Sequence, residues 1–231
     1  MGFLDKDGLF SEEKNVTNVK SFAGLDENNK PKAQENAMDL IFILDKSGSM
    51  WNIVEDTIGG FNSFIEREKT KDIKTYVTLV LFDDEYKILY TRKPIEEVKE
   101  LTDEEYFASG CTALLDAIGT TIESLDKEIS QKVMFVITTD GLENASTKYT
   151  KSDVKNLIQS HDWEFLFIGA DIDSYGEAQS IGIEINRSAN YEKSSRGLGC
   201  LFDSVSEFKR GYSKSSGSRY RCAGEWKRGL D

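Results

Sequence analysis

The sequence predicts one α/β domain with a doubly wound, mostly parallel sheet, helices on both faces and one antiparallel edge strand. Three segments are continuously apolar over the length of a strand, and amphipathic helical segments separate them along the chain. Parallel neighbouring strands need a crossover, which is nearly always right-handed, so this alternation specifies such a sheet. With 231 residues, 39% of them hydrophobic, the chain is long enough for one full core.

The first strand–helix unit begins at Met38. The segment MDLIFILD, residues 38–45, is apolar almost without interruption, as in a strand that is buried on both faces. The next segment, residues 51–69, repeats apolar residues three and four positions apart, which predicts an amphipathic helix. Because Trp51 opens this apolar stripe, we predict that it packs in the core, with contact to a partner as the alternative.

A β-hairpin is predicted to follow. Apolar and polar residues alternate through KTYVTLVLFD, residues 74–83, and a second strand-like run, YKILYT, begins at Tyr86. The acidic residues 83–85 between them have the composition of a hairpin turn. One edge of the sheet is therefore expected to be antiparallel.

The rest of the domain continues the alternation of helices and buried strands. The remaining predicted elements are a helix at 112–125, a strand at 133–140, a helix at 152–158, a strand at 163–171, a short helix at 175–180, an edge strand at 183–185 and a last helix at 194–212. We accordingly predict a flexible or loosely docked extension at 1–37, the domain at 38–212 and a basic tail at 213–231.

Charge is spread unevenly along the chain. The net charge is −12, yet residues 187–231 hold 10 basic and five acidic residues, against 19 and 36 in residues 1–186. A solvated basic face is the simpler interpretation of the last stretch, and a partner-binding arm is the alternative. Nucleic acid is not expected as a partner, because binding to its phosphates relies on many Lys and Arg side chains.

The cysteines and the apolar runs bear on the cellular setting. Cys111, Cys200 and Cys222 are odd in number and lack CxxC spacing, which indicates neither a disulfide framework nor a zinc site. A reducing cytoplasm fits this pattern. The sequence shows neither a secretory signal nor an apolar run of bilayer length, so no membrane partner is expected.

Oxygen-bearing side chains follow the first buried strand at alternate positions, Asp45, Ser47 and Ser49. Such a pattern in a tight loop suits a hard cation such as Mg²⁺, which takes oxygen ligands, and Gly48 allows the loop to bend. A serine-rich turn that caps the next helix would explain the two serines without any metal. The segment alone leaves both interpretations open.

Two further motifs bear on this choice. The segment SGCTALLDAIG places Thr112 at the beginning of a predicted helix, and VITTDGLENAS ends a buried strand on Asp140. Ligands of doubly wound sheets gather beyond the carboxyl ends of the strands, where the winding reverses. Asp45, Asp140 and Asp171, which end three buried strands, are therefore candidate site residues.

The three motifs in this order, DxSGS, a helix-opening Thr and TDG, resemble the von Willebrand factor A domain with its metal-ion-dependent adhesion site. The resemblance covers about residues 38–185 and implies a Rossmann-like fold of that family. It also implies the ligand set. Ser47, Ser49 and Thr112 would be direct hydroxyl ligands of the metal, and Asp45 and Asp140 would hold metal-bound waters or hydroxyls.

The resemblance extends to one branch of the family, and the sequence differs from the usual family motif at one position. Residues 164–183 and 190–213 resemble a bacterial and phage-associated cytoplasmic branch of the family. Cys111 stands where a glycine is frequent, and we predict that it is a buried, inert thiol rather than a ligand.

The function that the resemblance implies is a metal-dependent protein-binding module, an adaptor or scaffold and not an enzyme. An open coordination position would take an Asp or Glu carboxylate of a protein partner. Mg²⁺ suits hydroxyls and bound waters best, with Mn²⁺ or Ca²⁺ possible. The alternatives are a structural subunit with a vestigial metal site and a Mg²⁺-dependent phosphohydrolase or phosphotransferase. Against the second, Ser47 stands where a second aspartate is usual.

Overall fold

The computed structural model describes residues 37–129, 132–215, 220–222 and 224–230, which form a six-stranded sheet flanked by helices. The strands are β1 (Ala37–Asp45), β2 (Lys74–Phe82), β3 (Tyr86–Pro94), β4 (Lys132–Thr139), β5 (Glu164–Gly169) and β6 (Ser188–Asn190). The helices are α1 (Val54–Lys69), α2 (Leu114–Leu125), α3 (Lys151–Ser160), α4 (Ser174–Ser180) and α5 (Ser195–Lys214).

The strand order is β3-β2-β1-β4-β5-β6, which confirms the predicted fold class. Strand β3 pairs antiparallel with β2 at one edge, and the other four pairings are parallel. The chain winds outward from β1 in one direction through β2 and in the other through β4. The winding therefore reverses between β1 and β4, and their carboxyl ends define the expected ligand position.

Helices cover both faces of the sheet. One core joins α1 and α5 to the sheet, and the other joins α2, α3 and the end of α4 to the opposite face. In the first core, Phe42 of β1 contacts Phe61 and Phe64 of α1 edge to face, and Phe202 of α5 packs against the same group. A Cβ atom at Gly60 would lie 2.8 Å from the Phe202 ring, so the glycine permits this close helix packing.

One predicted strand is wrong. Residues 183–185 do not pair with the sheet, and the edge strand is instead Ser188–Asn190. Gly182 has a φ of 87°, which turns the chain after α4, and Ile185 begins a short 3-10 helix. The small residues of β6 carry little strand propensity of their own, so their pairing with β5 depends on tertiary context.

The described part of residues 213–231 packs against α5. Trp226 is buried, contacts Phe208 edge to face and donates a hydrogen bond from Nε1 to the carbonyl of Asn186 at 2.9 Å. Tyr220 also contacts the Phe208 ring. The predicted extension at 1–37 lies outside the described residues except for Ala37, which begins β1.

A buried ion pair joins the two helices of the first core. Nζ of Lys209 on α5 lies 2.7 Å from Oε2 of Glu68 on α1, and both side chains are buried. Burial alone would raise the pKa of Glu68, but Lys209 and Ser206 outweigh that effect and hold the pKa below its ordinary value. The buried charge of Glu68 therefore depends on these partners.

We predict that Lys209→Met lowers the free energy of unfolding by about 3 kcal/mol at neutral pH, because Glu68 is left buried with only the partly exposed Lys71 as a cation. Urea denaturation measures the loss. The wild-type pair stabilises above the unfolded pKa of Glu68 and loses its contribution as the pH falls through the lowered folded pKa. The deficit of the variant should therefore shrink towards about pH 4.

The control is the double variant Glu68→Gln/Lys209→Met, which removes the unpaired charge and should recover much of the loss. A single variant that unfolds at the wild-type urea concentration would contradict the prediction.

Candidate metal centre

The residues predicted to form the site come together at the carboxyl ends of β1 and β4. Asp45 is the last residue of β1, and Ser47 and Ser49 lie on the loop that follows it. Asp140 directly follows β4, and Thr112 lies just before α2. Because β1 and β4 are parallel neighbours in the sheet, their two aspartates project from the same edge.

Direct contacts link these side chains. The hydroxyl oxygens of Ser47 and Ser49 are 3.2 Å apart, and Ser49 donates a hydrogen bond to Oδ1 of Asp140 at 2.5 Å. A Cβ atom at Gly141 would lie 2.8 Å from Oγ1 of Thr112 and 3.7 Å from Oγ of Ser49. The glycine thus keeps open a space that faces both hydroxyls, and a side chain at this position would fill it.

The carboxylate of Asp45 is fully buried. Its Oδ1 accepts the backbone N–H of Ser47 at 2.7 Å, and its Oδ2 accepts the hydroxyl of Thr139 at 2.6 Å. Burial raises its pKa to about 6, against the lowering effect of these hydrogen bonds and with a smaller raising effect from Asp140. A nearby cation would relieve this cost of burying the charge.

The loop after β1 is fixed in place by hydrogen bonds to neighbouring loops. The buried hydroxyl of Tyr106 donates to the carbonyl of Asp45 at 2.5 Å, and the N–H of Ser109 donates to the carbonyl of Lys46 at 2.8 Å. The N–H of Gly48 donates to the carbonyl of Gly110 at 3.2 Å. The backbone before Ser47 and between Ser47 and Ser49 is thereby held without a contribution from the two serine side chains.

The loop after β4 fixes Thr112 in a similar manner. Asn144 accepts the N–H of Thr112 through Oδ1 at 2.9 Å and donates its own N–H to the carbonyl of Thr112 at 3.0 Å. Glu143 accepts the N–H of Leu115 in the first turn of α2 at 2.9 Å. The segment DGLEN therefore supplies, besides Asp140, the two residues that position the helix opening.

Lys193 is a site residue that sequence reasoning missed. Its Nζ lies 2.6 Å from Oδ2 of Asp140 and donates a hydrogen bond to the carbonyl of Ser49 at 3.0 Å. Asp171, predicted as a candidate site residue, lies 3.6 Å from the same ammonium group. Lys193 follows β6 and is remote in sequence from the three motifs, so no local pattern indicates its place here.

The donor set fits a divalent cation with hard oxygen ligands. Oδ2 of Asp140 forms an ion pair with Lys193, but it accepts no well-aligned hydrogen bond from any described residue. The buried hydroxyl of Tyr191 also has no hydrogen bond to a described residue. Burial, followed by the charges of Asp140 and Asp45, raises the pKa of Tyr191. The described residues contain no cluster of three or more His, Cys, Asp or Glu side chains that could hold a metal. The hydroxyls would therefore have to supply the remaining ligands.

Two predictions about residues beside the site are wrong. Trp51 is exposed rather than in the core, because residues 48–53 form a 3-10 helix, whose tighter winding places Trp51 on another face than α-helical spacing would. Cys111, predicted to be buried, is exposed as well, and its N–H donates a hydrogen bond to Oδ1 of Asp84 at 3.1 Å.

We predict that Asp45→Asn raises the free energy of unfolding in EDTA at pH 8 by up to about 3 kcal/mol, since burial raises the pKa of Asp45 from 3.8 to about 6 and each pKa unit corresponds to about 1.4 kcal/mol. The raised pKa means that wild-type stability from this group is full below about pH 4 and is lost as the pH rises through about 6. The gain of the variant should therefore vanish near the lower pH. Thermal unfolding across this range tests it, and a variant less stable than the wild type at the higher pH in EDTA would refute it.

Comparison with solved structures shows the same fold in proteins of low sequence identity. The mussel byssus proximal thread matrix protein 1, in a structure with a zinc-occupied MIDAS motif, is 18% identical with a TM-score of 0.55 and covers 76% of this chain and 46% of that one. A von Willebrand factor type A protein from Catenulispora acidiphila is 17% identical, with a TM-score of 0.55 and coverage of 78% and 43%. The chain thus spans less than half of these proteins.

A third structure, the vWF domain of the type V pili tip protein Mfa5 from Porphyromonas gingivalis, is 11% identical with a TM-score of 0.58, covering 80% of this chain and 99% of that one. No curated protein sequence matches the chain. The family profile of the von Willebrand factor type A domain matches residues 39–201. This match spans most of the sequence and includes every candidate ligand. The chain therefore belongs to the von Willebrand factor type A domain family.

Proposed function

We propose that this domain is a metal-dependent protein-binding module, an adaptor or scaffold that holds a divalent cation and captures an acidic side chain of a partner protein. The observation that carries the proposal is the convergence of three hydroxyls and two carboxylates from three loops on one place, with Ser49 exposed at its opening. Ser47, Ser49, Thr112, Asp45 and Asp140 are the proposed metal-binding residues.

The bound cation would supply a concentrated positive charge to which a partner carboxylate can bind directly. The hydroxyls and the two carboxylates of the chain would have different roles at the ion. The three hydroxyls are neutral, so they leave most of the charge of the ion available to the partner. Asp45 and Asp140 would hold metal-bound waters or hydroxyls, and hydrogen bonds from Thr139 and Ser49 fix the orientation of the two carboxylates.

The oxygen-only donor set favours Mg²⁺, with Mn²⁺ or Ca²⁺ as the other hard cations that such ligands accept. Zinc occupies the MIDAS motif in the structure of the mussel protein. A comparison of affinities for these ions is therefore part of the test below.

The geometry supports binding more than catalysis. An aspartyl-phosphate mechanism needs a carboxylate oxygen that is free to attack, but both oxygens of Asp45 accept hydrogen bonds and the side chain is fully buried. The position two residues later, where a general acid or base would stand, is Ser47. One structure with a similar fold, SpaC from Lactobacillus rhamnosus GG, is a pilus adhesin. It is 14% identical to this chain, with a TM-score of 0.57.

The cellular setting remains a prediction from the sequence. No helix in the described ranges is both long and apolar enough to pass through a membrane. The cytoplasmic location and the bacterial and phage-associated branch rest on the cysteine pattern and on the resemblance alone.

The first test of the proposal is metal binding by isothermal titration calorimetry with Mg²⁺, Mn²⁺, Ca²⁺ and Zn²⁺. We expect saturable binding of one ion and a melting temperature that rises with ion concentration, because a ligand that binds only the folded state stabilises it. Asp45→Ala and Ser49→Ala should abolish both effects. Wild-type protein that binds none of the four ions would overturn the proposal. Variants that bind as tightly as wild type would refute the ligand assignment.

A second prediction concerns Lys193, whose ammonium group competes with a metal ion for Asp140. We expect Lys193→Met to bind Mg²⁺ at least about tenfold more tightly, because a positive charge is removed from the immediate surroundings of the site. Lys227→Met, which removes a lysine bonded to the carbonyl of Ile185 elsewhere, is the matched control and should change nothing. Weaker Mg²⁺ binding by Lys193→Met would show that Lys193 supports the site rather than competing for it.

A further inference from the structure

Large apolar side chains are exposed around the candidate metal centre. Trp51 is 75% exposed, Phe107 53% and Leu142 55%. They are three of the five large hydrophobic side chains that are exposed in the described part of the chain. We call these three residues the apolar rim. Single exposed apolar residues need no explanation, whereas a group of them around one site indicates a surface that contacts something.

Two members of the apolar rim are tied to the site by sequence. Trp51 stands two residues after Ser49, in the short 3-10 helix that also contains this serine. Leu142 stands two residues after Asp140, next to the glycine that faces the hydroxyls of Ser49 and Thr112. They therefore flank the proposed ligands on the β1 and β4 sides of the opening.

Phe107 is tied to the site by contacts instead. It lies two residues before Ser109, whose N–H donates to the carbonyl of Lys46 on the loop after β1. The ammonium group of Lys46 lies 5.1 Å from the centre of the Phe107 ring. Lys46 is itself paired with the buried Asp83, so the lysine beneath the ring is held in place. Phe107 is thus held beside the loop that follows β1 by these contacts.

Charge limits the partners that this surface can accept. The chain as a whole carries a net charge of −12, which repels a segment with many carboxylates. Close to the centre, the ammonium group of Lys193 is already paired with Asp140 and lies near Asp171. The bound cation would therefore be the charge that attracts a partner carboxylate, and a single carboxylate meets little of the long-range repulsion that a polyacidic segment would meet.

We propose that the apolar rim selects partner segments in which one Asp or Glu is flanked on both sides by large apolar side chains. This inference rests on the proposed function, since the carboxylate is the group that the bound cation would take. Exposed aromatic residues such as Trp51 and Phe107 are typical anchors of protein interfaces, where they exclude water from the central polar contact. The rim would thereby strengthen the bond between metal and carboxylate.

Selection from displayed peptide libraries tests the inference. One library has a central Asp with randomised flanks, and its matched library has Asn in place of that Asp. With wild-type protein in Mg²⁺, we expect enrichment of Leu, Ile, Phe, Trp or Met beside the central Asp and depletion of further Asp and Glu. The Asn library and the EDTA selection should give no enrichment. Enriched peptides should bind about tenfold more weakly to Trp51→Ser and to Leu142→Ser.

Ile185→Ser is the matched control, because Ile185 is 51% exposed but lies before β6, away from the carboxyl ends of β1 and β4. It should bind the enriched peptides as wild type does. Polyacidic or random flanks, no enrichment with wild type in Mg²⁺, or undiminished binding to Trp51→Ser would overturn the inference.

Calorimetric titration of each variant with Mg²⁺ separates this inference from the function on which it rests. The rim variants should bind Mg²⁺ as tightly as wild type, since none of the three side chains is a proposed ligand. If wild type binds Mg²⁺ but shows no apolar preference, the inference alone fails. If wild type binds no ion, the proposed function fails with it.

Discussion

The arrangement at the switch point of the sheet depends on one electrostatic constraint, the burial of two carboxylates at the ends of neighbouring parallel strands. Asp45 and Asp140 carry like charges, and burial raises the pKa of the first. The surrounding structure compensates with donors: the hydroxyls of Thr139 and Ser49, the N–H of Ser47 and the ammonium group of Lys193. These donors offset the cost of burying the negative charge.

The fold class and the place where Asp45 and Asp140 meet could be predicted from the sequence, because the patterns that specify them are local. Continuous apolar runs specify buried parallel strands, and the motifs around Asp45 and Asp140 end two of them, so topology alone brings the two aspartates together. The ligand assignment is still a prediction. The predictions that were wrong concern features that depend on tertiary context or on the local winding of the chain. The small residues of β6 form a strand only beside β5, and Trp51 lies outside the core because its segment winds as a 3-10 helix.

Lys193 shows a different limit of sequence reasoning. It is far from Asp140 along the chain, and it reaches the site only because β6 lies beside β5 and ends at the same edge. A lone lysine in a polar segment carries no local signal. Trp51 is exposed, contrary to the prediction that it packs in the core. In the proposed interface its ring would exclude water from the contact between a partner and the charged centre.

Strand β1 connects the residues before position 37 to the candidate centre through the middle of the sheet. Its nine residues extend about 26 Å from Ala37 to Asp45, and hydrogen bonds join it to β2 on one side and to β4 on the other. Tension between a captured partner and an anchor attached before Ala37 would run along the strand axis. This force would load the hydrogen bonds of β1 with β2 and with β4 in shear, so that all of them would resist it at the same time instead of breaking one after another. A pull along β1 would thus be resisted by its hydrogen bonds to both neighbouring strands at once.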